Sequence, residues 1–115
     1  MALTKKAILA ADDLPREEVD VPEWGGTVFV RMMTAAELDV YRDRVVNATG
    51  GGDAVTFRAG LVAKCLVGED GERLFTDDEV ADLGSKATSV MERLTAVALR
   101  LNGMAAEDVE EMAKN

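Results

Sequence analysis

Alternating apolar and polar residues near the N-terminus predict a β-hairpin. Residues 19–21 place Asp20 between two valines, and residues 28–32 have apolar side chains at every second position. Successive side chains of a strand point to opposite faces, so each stretch has one face suited to a core. Gly25 and Gly26 give the backbone the freedom that a tight reversal needs. We therefore predict a hairpin over residues 18–33.

Most of the remaining chain has apolar residues at the spacing of three and four that is typical of helices. Thr34 with Glu37, and Thr76 with Glu79, match the capping box, in which each side chain bonds to the other residue's backbone N–H group at a helix start. The patterns predict five helices, over about residues 5–11, 35–49, 53–67, 77–83 and 86–102.

Three further local signals refine these bounds. Thr4 and Ser85 are expected to cap the first and the last helix, because a short hydroxyl side chain accepts from a free N–H group of the first turn. Asp70-Gly71 is typical of a tight turn, and it lies between the apolar pairs at residues 66–67 and 74–75. A second, small hairpin there is the alternative to a helix that continues to residue 67.

These elements predict an α+β fold, with the N-terminal hairpin packed on a bundle of four or five helices. A chain of 115 residues is long enough for one core and too short for two. We expect a single globular domain over residues 1–103. Residues 104–115 are acidic and form at most a marginal helix, so we expect a mobile C-terminal tail.

The charge of the chain limits its partners. Its formal net charge of −9 would repel nucleic acid and anionic membranes, so neither is expected as a direct partner. No segment approaches the roughly 20 apolar residues that span a bilayer. The single cysteine, Cys65, lies in an apolar helix, where a core position and a reducing compartment are expected. The cytoplasm is the predicted location.

The sequence lacks the residues of common catalytic sites. It contains no histidine, which removes the usual general base and the usual partner of a nucleophilic serine or cysteine. The acidic clusters do not match a calcium loop, and those after Thr76 lie in the first turn of a predicted helix, where carboxylates favour the helix dipole. We predict no enzyme activity, no metal site and no cofactor.

Four apolar residues are candidates for partner binding. Leu99 lies on the otherwise polar side of the last predicted helix, where it either contacts a neighbour or is a lone exposed leucine. Trp24 lies in the turn of the hairpin, where it either covers the core or forms a hot spot for a partner. Val109 and Met112, one helical turn apart in the tail, complete the set.

The order of these segments resembles the tail assembly chaperones of long-tailed bacteriophages and prophages. The most specific stretches are VPEWGGTVFVR at residues 21–31 and GERLFTDDEVADLG at residues 71–84, the second followed by the long helix that ends LRLNG. The resemblance covers nearly the whole chain. It implies a chaperone that binds the tape measure protein and keeps it soluble until tail tube subunits polymerise around it.

The resemblance also implies further partners and a location. They are the tail tube protein, a longer frameshifted form of the same chain, and other copies of the chain through self-association. The chaperone would act in the host cytoplasm and be absent from the finished virion. Two other classes remain open from the residues: a structural tail or head-tail joining subunit, and an acidic inhibitor that mimics nucleic acid.

The expected frameshifted product leads to a prediction about the coding DNA. Lys114 and Asn115 can be encoded by AAA AAC, a run on which a ribosome can slip into the −1 frame. We expect sequencing to show this run or a similar one just upstream. Codons in this region that cannot pair again in the −1 frame would contradict the prediction.

Overall fold

The computed structural model describes residues 2–46 and 54–104. Within these residues the chain forms a three-stranded antiparallel sheet and five α-helices, which confirms the predicted α+β class and the packing of a hairpin on helices. The elements in chain order are α1 (Lys5–Ala10), β1 (Arg16–Val21), β2 (Gly26–Arg31), α2 (Ala35–Val46), α3 (Ala54–Cys65), β3 (Leu66–Val67), α4 (Val80–Gly84) and α5 (Thr88–Leu101). Short 3₁₀ turns precede β2 and α4, at Pro22–Trp24 and Asp77–Glu79.

The hairpin lies slightly earlier in the chain than the predicted range of 18–33. β1 and β2 pair from Arg16 with Arg31 to Val21 with Gly26, and the N–H of Met32 donates to the carbonyl oxygen of Pro15 at 2.9 Å. The reversal uses the 3₁₀ turn and then Gly25, whose φ of 80° lies in the left-handed region. Only glycine adopts this conformation without steric cost, as the Gly-Gly pair predicted.

The predicted helix over residues 53–67 is too long. α3 ends at Cys65, and Leu66 and Val67 form β3, which pairs with β2 as the third strand. The turn at Asp70-Gly71 brings the chain back, so that the N–H of Leu74 donates to the carbonyl oxygen of Leu66 at 3.1 Å. The alternative hypothesis of a small second hairpin is therefore correct, although its return limb is a single bridging residue, Arg73. Pairing with β2 gives the backbone N–H and C=O groups of this segment hydrogen-bond partners in the sheet.

The core forms around α3, which packs against α2, α4, α5 and the sheet. Five of its side chains are at most 1% exposed, and α5 contributes four buried residues to the same cluster. These residues are Ala59, Leu61, Val62, Ala63 and Cys65 of α3, and Val90, Met91, Leu94 and Ala98 of α5. Burial raises the pKa of the Cys65 thiol to about 11, so it stays protonated at neutral pH and is a core residue, as predicted.

The helix starts agree with the capping signals except at α5. The N–H of Thr34 donates to Glu37 Oε1 at 2.9 Å and the N–H of Glu37 to Thr34 Oγ1 at 3.1 Å, which confirms the first capping box. The predicted range of 86–102 is wrong at its start, because Ser85 does not cap α5. Its hydroxyl donates to the carbonyl oxygen of Asp82 at 2.6 Å and so closes α4, and α5 begins at Thr88.

The bounds of the other predicted helices differ less from the observed bounds. The first begins after its Thr4 cap and ends at Ala10 rather than residue 11. The segment predicted as a helix over 77–83 opens with a 3₁₀ turn and continues as α4 to Gly84. The predicted extension of α2 to residue 49 lies outside the described residues, as does the tail after Met104.

A partly buried ion pair joins the sheet to α2. Arg31 donates to both carboxylate oxygens of Glu37, at 2.8 and 2.9 Å, and to the carbonyl oxygen of Met32. The Arg31 side chain is 11% exposed and that of Glu37 is 23% exposed. Arg31 and the N–H of Thr34 together lower the pKa of Glu37 from 4.5 to about 2. One glutamate therefore caps α2 and neutralises the arginine at the end of β2.

The side chain of Asn102 connects three elements at the end of α5. Its Oδ1 accepts from the N–H of Met33 at 2.8 Å, and its Nδ2 donates to the carbonyl oxygen of Ala98 at 2.8 Å and lies 3.6 Å from Cys65 Sγ. The helix then closes in a Schellman motif, with Gly103 at a φ of 65°. Asn102 thus fixes the end of α5 to the entry of α2 and the end of α3.

The Arg31–Glu37 pair predicts a defined dependence of stability on pH. The folded-state pKa of Glu37 lies below its unfolded value, so the stability it adds is complete above about pH 4.5 and is lost as the pH falls to about 2. Glu37→Gln should lower the free energy of unfolding by about 1–3 kcal/mol at pH 7, because it leaves the Arg31 charge poorly paired.

Denaturant unfolding between pH 7 and 2 measures this effect. The difference between the wild type and Glu37→Gln should shrink as the pH falls below about 4.5. Glu18→Gln, at an exposed position of β1, is the matched control for loss of one negative charge. Equal destabilisation by the two variants at pH 7 would contradict the role of the pair.

Asn102→Ala should lower the free energy of unfolding by about 1–3 kcal/mol, because the N–H of Met33 then lacks its acceptor. Hydrogen exchange at the Met33 amide should also become faster in the variant than in the wild type. Ser85→Ala removes an exposed side-chain hydrogen bond and should cost less than about 0.5 kcal/mol. An unchanged Met33 exchange rate in Asn102→Ala would show that this hydrogen bond does not form.

Candidate partner-binding surface

Trp24 lies at the end of the 3₁₀ turn between β1 and β2, partly buried against the core. The turn is held to α5 by Arg93, which donates to both carboxylate oxygens of Glu23, at 3.0 and 2.7 Å, and to the carbonyl oxygen of Asp20 at 3.3 Å. This pairing lowers the pKa of Glu23 to about 2. The indole therefore covers one edge of the core and keeps part of its surface accessible on a turn with a fixed position.

Leu99 is also partly buried against the core. Thr95, one turn earlier on α5, has a buried hydroxyl oxygen, so this side of the helix is covered in part by the same chain. Arg100 beside it donates to both oxygens of Glu17, at 2.8 and 2.7 Å, and ties α5 to β1. Leu99 therefore contacts core residues of its own chain, and the rest of the Leu99 side chain remains accessible.

The described residues contain other apolar side chains that are far more exposed than Trp24 or Leu99. Leu3, Ile8 and Leu9 at the N-terminus are 73%, 56% and 76% exposed, and Val40 of α2 and Leu74 are 50% and 51% exposed. Sequence reasoning missed them as candidates because each lies in a helical or turn pattern compatible with a core. Val109 and Met112, the other two predicted contact residues, lie outside the described residues.

A cluster of charged side chains surrounds Asp77 at the start of the 3₁₀ turn before α4. Arg73 donates to Asp77 Oδ1 at 2.9 Å, Lys64 donates to the same oxygen at 3.4 Å, and Arg44 lies 3.9 Å from Oδ2. The hydrogen bond from Arg73, with the nearby charge of Lys64, lowers the pKa of Asp77. These ion pairs link α2, α3 and the turn, so the charges have a structural role.

One cleft among the described residues is small. A cleft of about 50 Å³ lies where α3, α4 and α5 meet, lined by Arg58, Ala59, Gly84, Lys86, Thr88 and Met91. Typical ligand sites are several times larger. Residues 2–46 and 54–104 contain no group of three or more carboxylate or thiol side chains placed to hold a metal ion, and no helix in them is long and apolar enough to cross a membrane.

Comparisons with known proteins show which solved structure and which protein family this chain is similar to. A solved structure of the tail assembly chaperone of bacteriophage HK97 matches the fold with a TM-score of 0.63 and 25% sequence identity, over 84% of this chain and 94% of that one. No curated protein sequence matches. The sequence model of the phage tail assembly chaperone family matches residues 3–115. Because this match spans nearly the whole chain, the protein belongs to the phage tail assembly chaperone family.

Proposed function

We propose that this chaperone binds the tape measure protein of its phage and keeps it soluble until tail tube subunits assemble around it. The match of nearly the entire chain to the tail assembly chaperone family is the observation that carries the proposal. A protein that acts by binding needs accessible apolar surface, and Trp24 and Leu99 offer parts of their side chains on rigid elements.

The client-binding surface in this proposal is formed by Trp24 and Leu99 together with Val109 and Met112 of the tail. Aromatic and aliphatic anchors of this kind commonly provide most of the binding energy at protein interfaces. The two ion pairs of α5, from Arg93 to Glu23 and from Arg100 to Glu17, hold the turn and strand beside that helix in place. A surface fixed in this way loses little conformational entropy when a partner binds.

The charge of the chain supports the second requirement of a chaperone. The formal net charge of this protein is −9 at neutral pH. Its complex with an apolar client therefore carries excess negative charge, which opposes aggregation. In this proposal the tail tube protein and a longer frameshifted form of the chain are further partners during assembly. The chaperone acts in the host cytoplasm and leaves before the virion is complete.

Co-expression tests the proposal directly. With the tape measure protein encoded downstream as the client, its soluble fraction should rise several-fold when this chain is present, and the two should purify together. Purified particles should lack the chaperone. An equally insoluble client with and without the chain, or stoichiometric recovery of the chain from mature virions, would refute the proposal.

Substitutions then test the proposed surface. Trp24→Ser and Leu99→Ser should each reduce client recovery, and a chain that stops after Met104 should do the same. Val40→Ser removes an exposed apolar side chain from α2, outside this surface, and is the control. Thermal unfolding of each variant separates loss of binding from loss of folding, because both tested side chains also contact the core.

A further inference from the structure

Strand β1 forms one edge of the sheet. The strand order is β1-β2-β3, and within residues 2–46 and 54–104 no other strand pairs with the outer side of β1. The N–H of Met32 donates to the carbonyl oxygen of Pro15, directly before the first pair of the β1–β2 ladder. In an antiparallel ladder, hydrogen-bonded pairs alternate with pairs whose backbone groups point away from each other. The N–H and C=O groups of Arg16, Glu18 and Asp20 therefore point outward from the sheet.

These outward backbone groups are open to a further chain. The carbonyl oxygen of Asp20 accepts from Arg93 Nη1 at 3.3 Å, which agrees with its outward direction. In the part of the chain that the structure describes, the N–H and C=O groups of Glu18 have no hydrogen-bond partner. The side chains of Arg16, Glu18 and Asp20 are all exposed. An exposed edge with unpaired backbone groups is a place where another strand can pair.

The edge is acidic. Residues 12–20 contain five carboxylates and one cation, Arg16, which gives them a formal charge of −4. The Arg16 guanidinium lies over the ring of Phe29, 4.6 Å from its centre. Among the described residues, no ion pair involves the carboxylate of Glu18 or that of Asp20. The partner that complements this edge therefore carries positive charge.

The same charge selects against a second copy of β1. Two such edges would each bring a formal charge of −4, and these charges repel. Charged side chains on edge strands commonly prevent edge-to-edge pairing of identical chains. An extended segment with lysine or arginine at alternate positions instead places cations beside carboxylates, because alternate side chains of neighbouring strands share one face.

We propose that β1 binds an extended basic segment of a different protein as a fourth strand of the sheet. The backbone of that segment pairs with the outward groups of Arg16 and Glu18, and its basic side chains lie beside Glu18 and Asp20. Arg93 limits the ladder at the far end, because it already bonds to the carbonyl oxygen of Asp20. This edge does not include Trp24 or Leu99, so the proposal goes beyond client binding and can fail independently of it.

Titration of the full chain with two synthetic peptides, followed by NMR, tests the proposal. The first has the sequence KVKTKV, and the second is the same peptide with every backbone nitrogen methylated, which keeps the charge and removes the N–H donors. At up to about 2 mM, the first peptide should slow hydrogen exchange at the Glu18 amide. Exchange at Val19 should change little, since its N–H points toward β2. The methylated peptide should bind about tenfold more weakly or less well still.

Two variants isolate the outward N–H of Glu18. Glu18→Pro removes it, and proline is tolerated in an edge strand where the N–H faces solvent. Glu18→Gln loses the same charge and keeps the N–H, so it is the matched control. Binding of KVKTKV should be about tenfold weaker for Glu18→Pro than for Glu18→Gln, with thermal unfolding as the check that both are folded.

Three results would overturn the proposal. Equal binding of the two peptides would show that charge alone attracts them, and equal binding by the two variants would exclude pairing at Glu18. An unchanged exchange rate of the Glu18 amide with KVKTKV, which needs no variant, would exclude it as well. Protection of this amide that rises with the concentration of the free protein would assign the edge to a second copy and also overturn the proposal.

Discussion

The burial of α3 is the constraint on which the rest of the structure depends. Its side chains from Ala59 to Cys65 face α2, α4, α5 and the sheet, and most of them are small. Small side chains let neighbouring elements approach closely, so a chain with few large apolar residues still forms a packed interior. The same helix continues directly into β3, and the core and the third strand are therefore formed by one uninterrupted segment.

Polar contacts then fix the elements around this core. Two arginines of α5 reach the hairpin, Glu37 joins the end of β2 to the start of α2, and Asn102 holds the end of α5 to the entry of α2. Exposed ion pairs add little stability each. Their effect is geometric, since they hold the sheet and the long helix at a defined distance and angle. The surfaces of Trp24 and Leu99 lie on these fixed elements, and α1 lies outside them.

The functional surface is harder to read from sequence than the fold, and the physical reason is the same at each position. Apolar residues at helical spacing indicate a face that will be covered, but not whether the same chain or another one covers it. The sequence pattern placed Leu99 on an outer face of its helix, but the core of the same chain partly covers it. The sequence pattern placed Ile8 and Leu9 in an ordinary short helix, and in the structure both are exposed to solvent. Only the position of each helix in the fold distinguishes these cases.

The sequence by itself determined the features that depend on near neighbours in the chain. These are the hairpin with its left-handed Gly25, the capping box of Thr34 and Glu37, the burial of Cys65 in an apolar helix, and the α+β class that follows from them. Contacts between distant residues decided the rest. Leu66 and Val67 became a strand because β2 offered them backbone partners, and the end of α5 is fixed because Asn102 Oδ1 accepts from the distant N–H of Met33. Local propensity is weak compared with such long-range pairing, and the tertiary structure alone shows which pairs form.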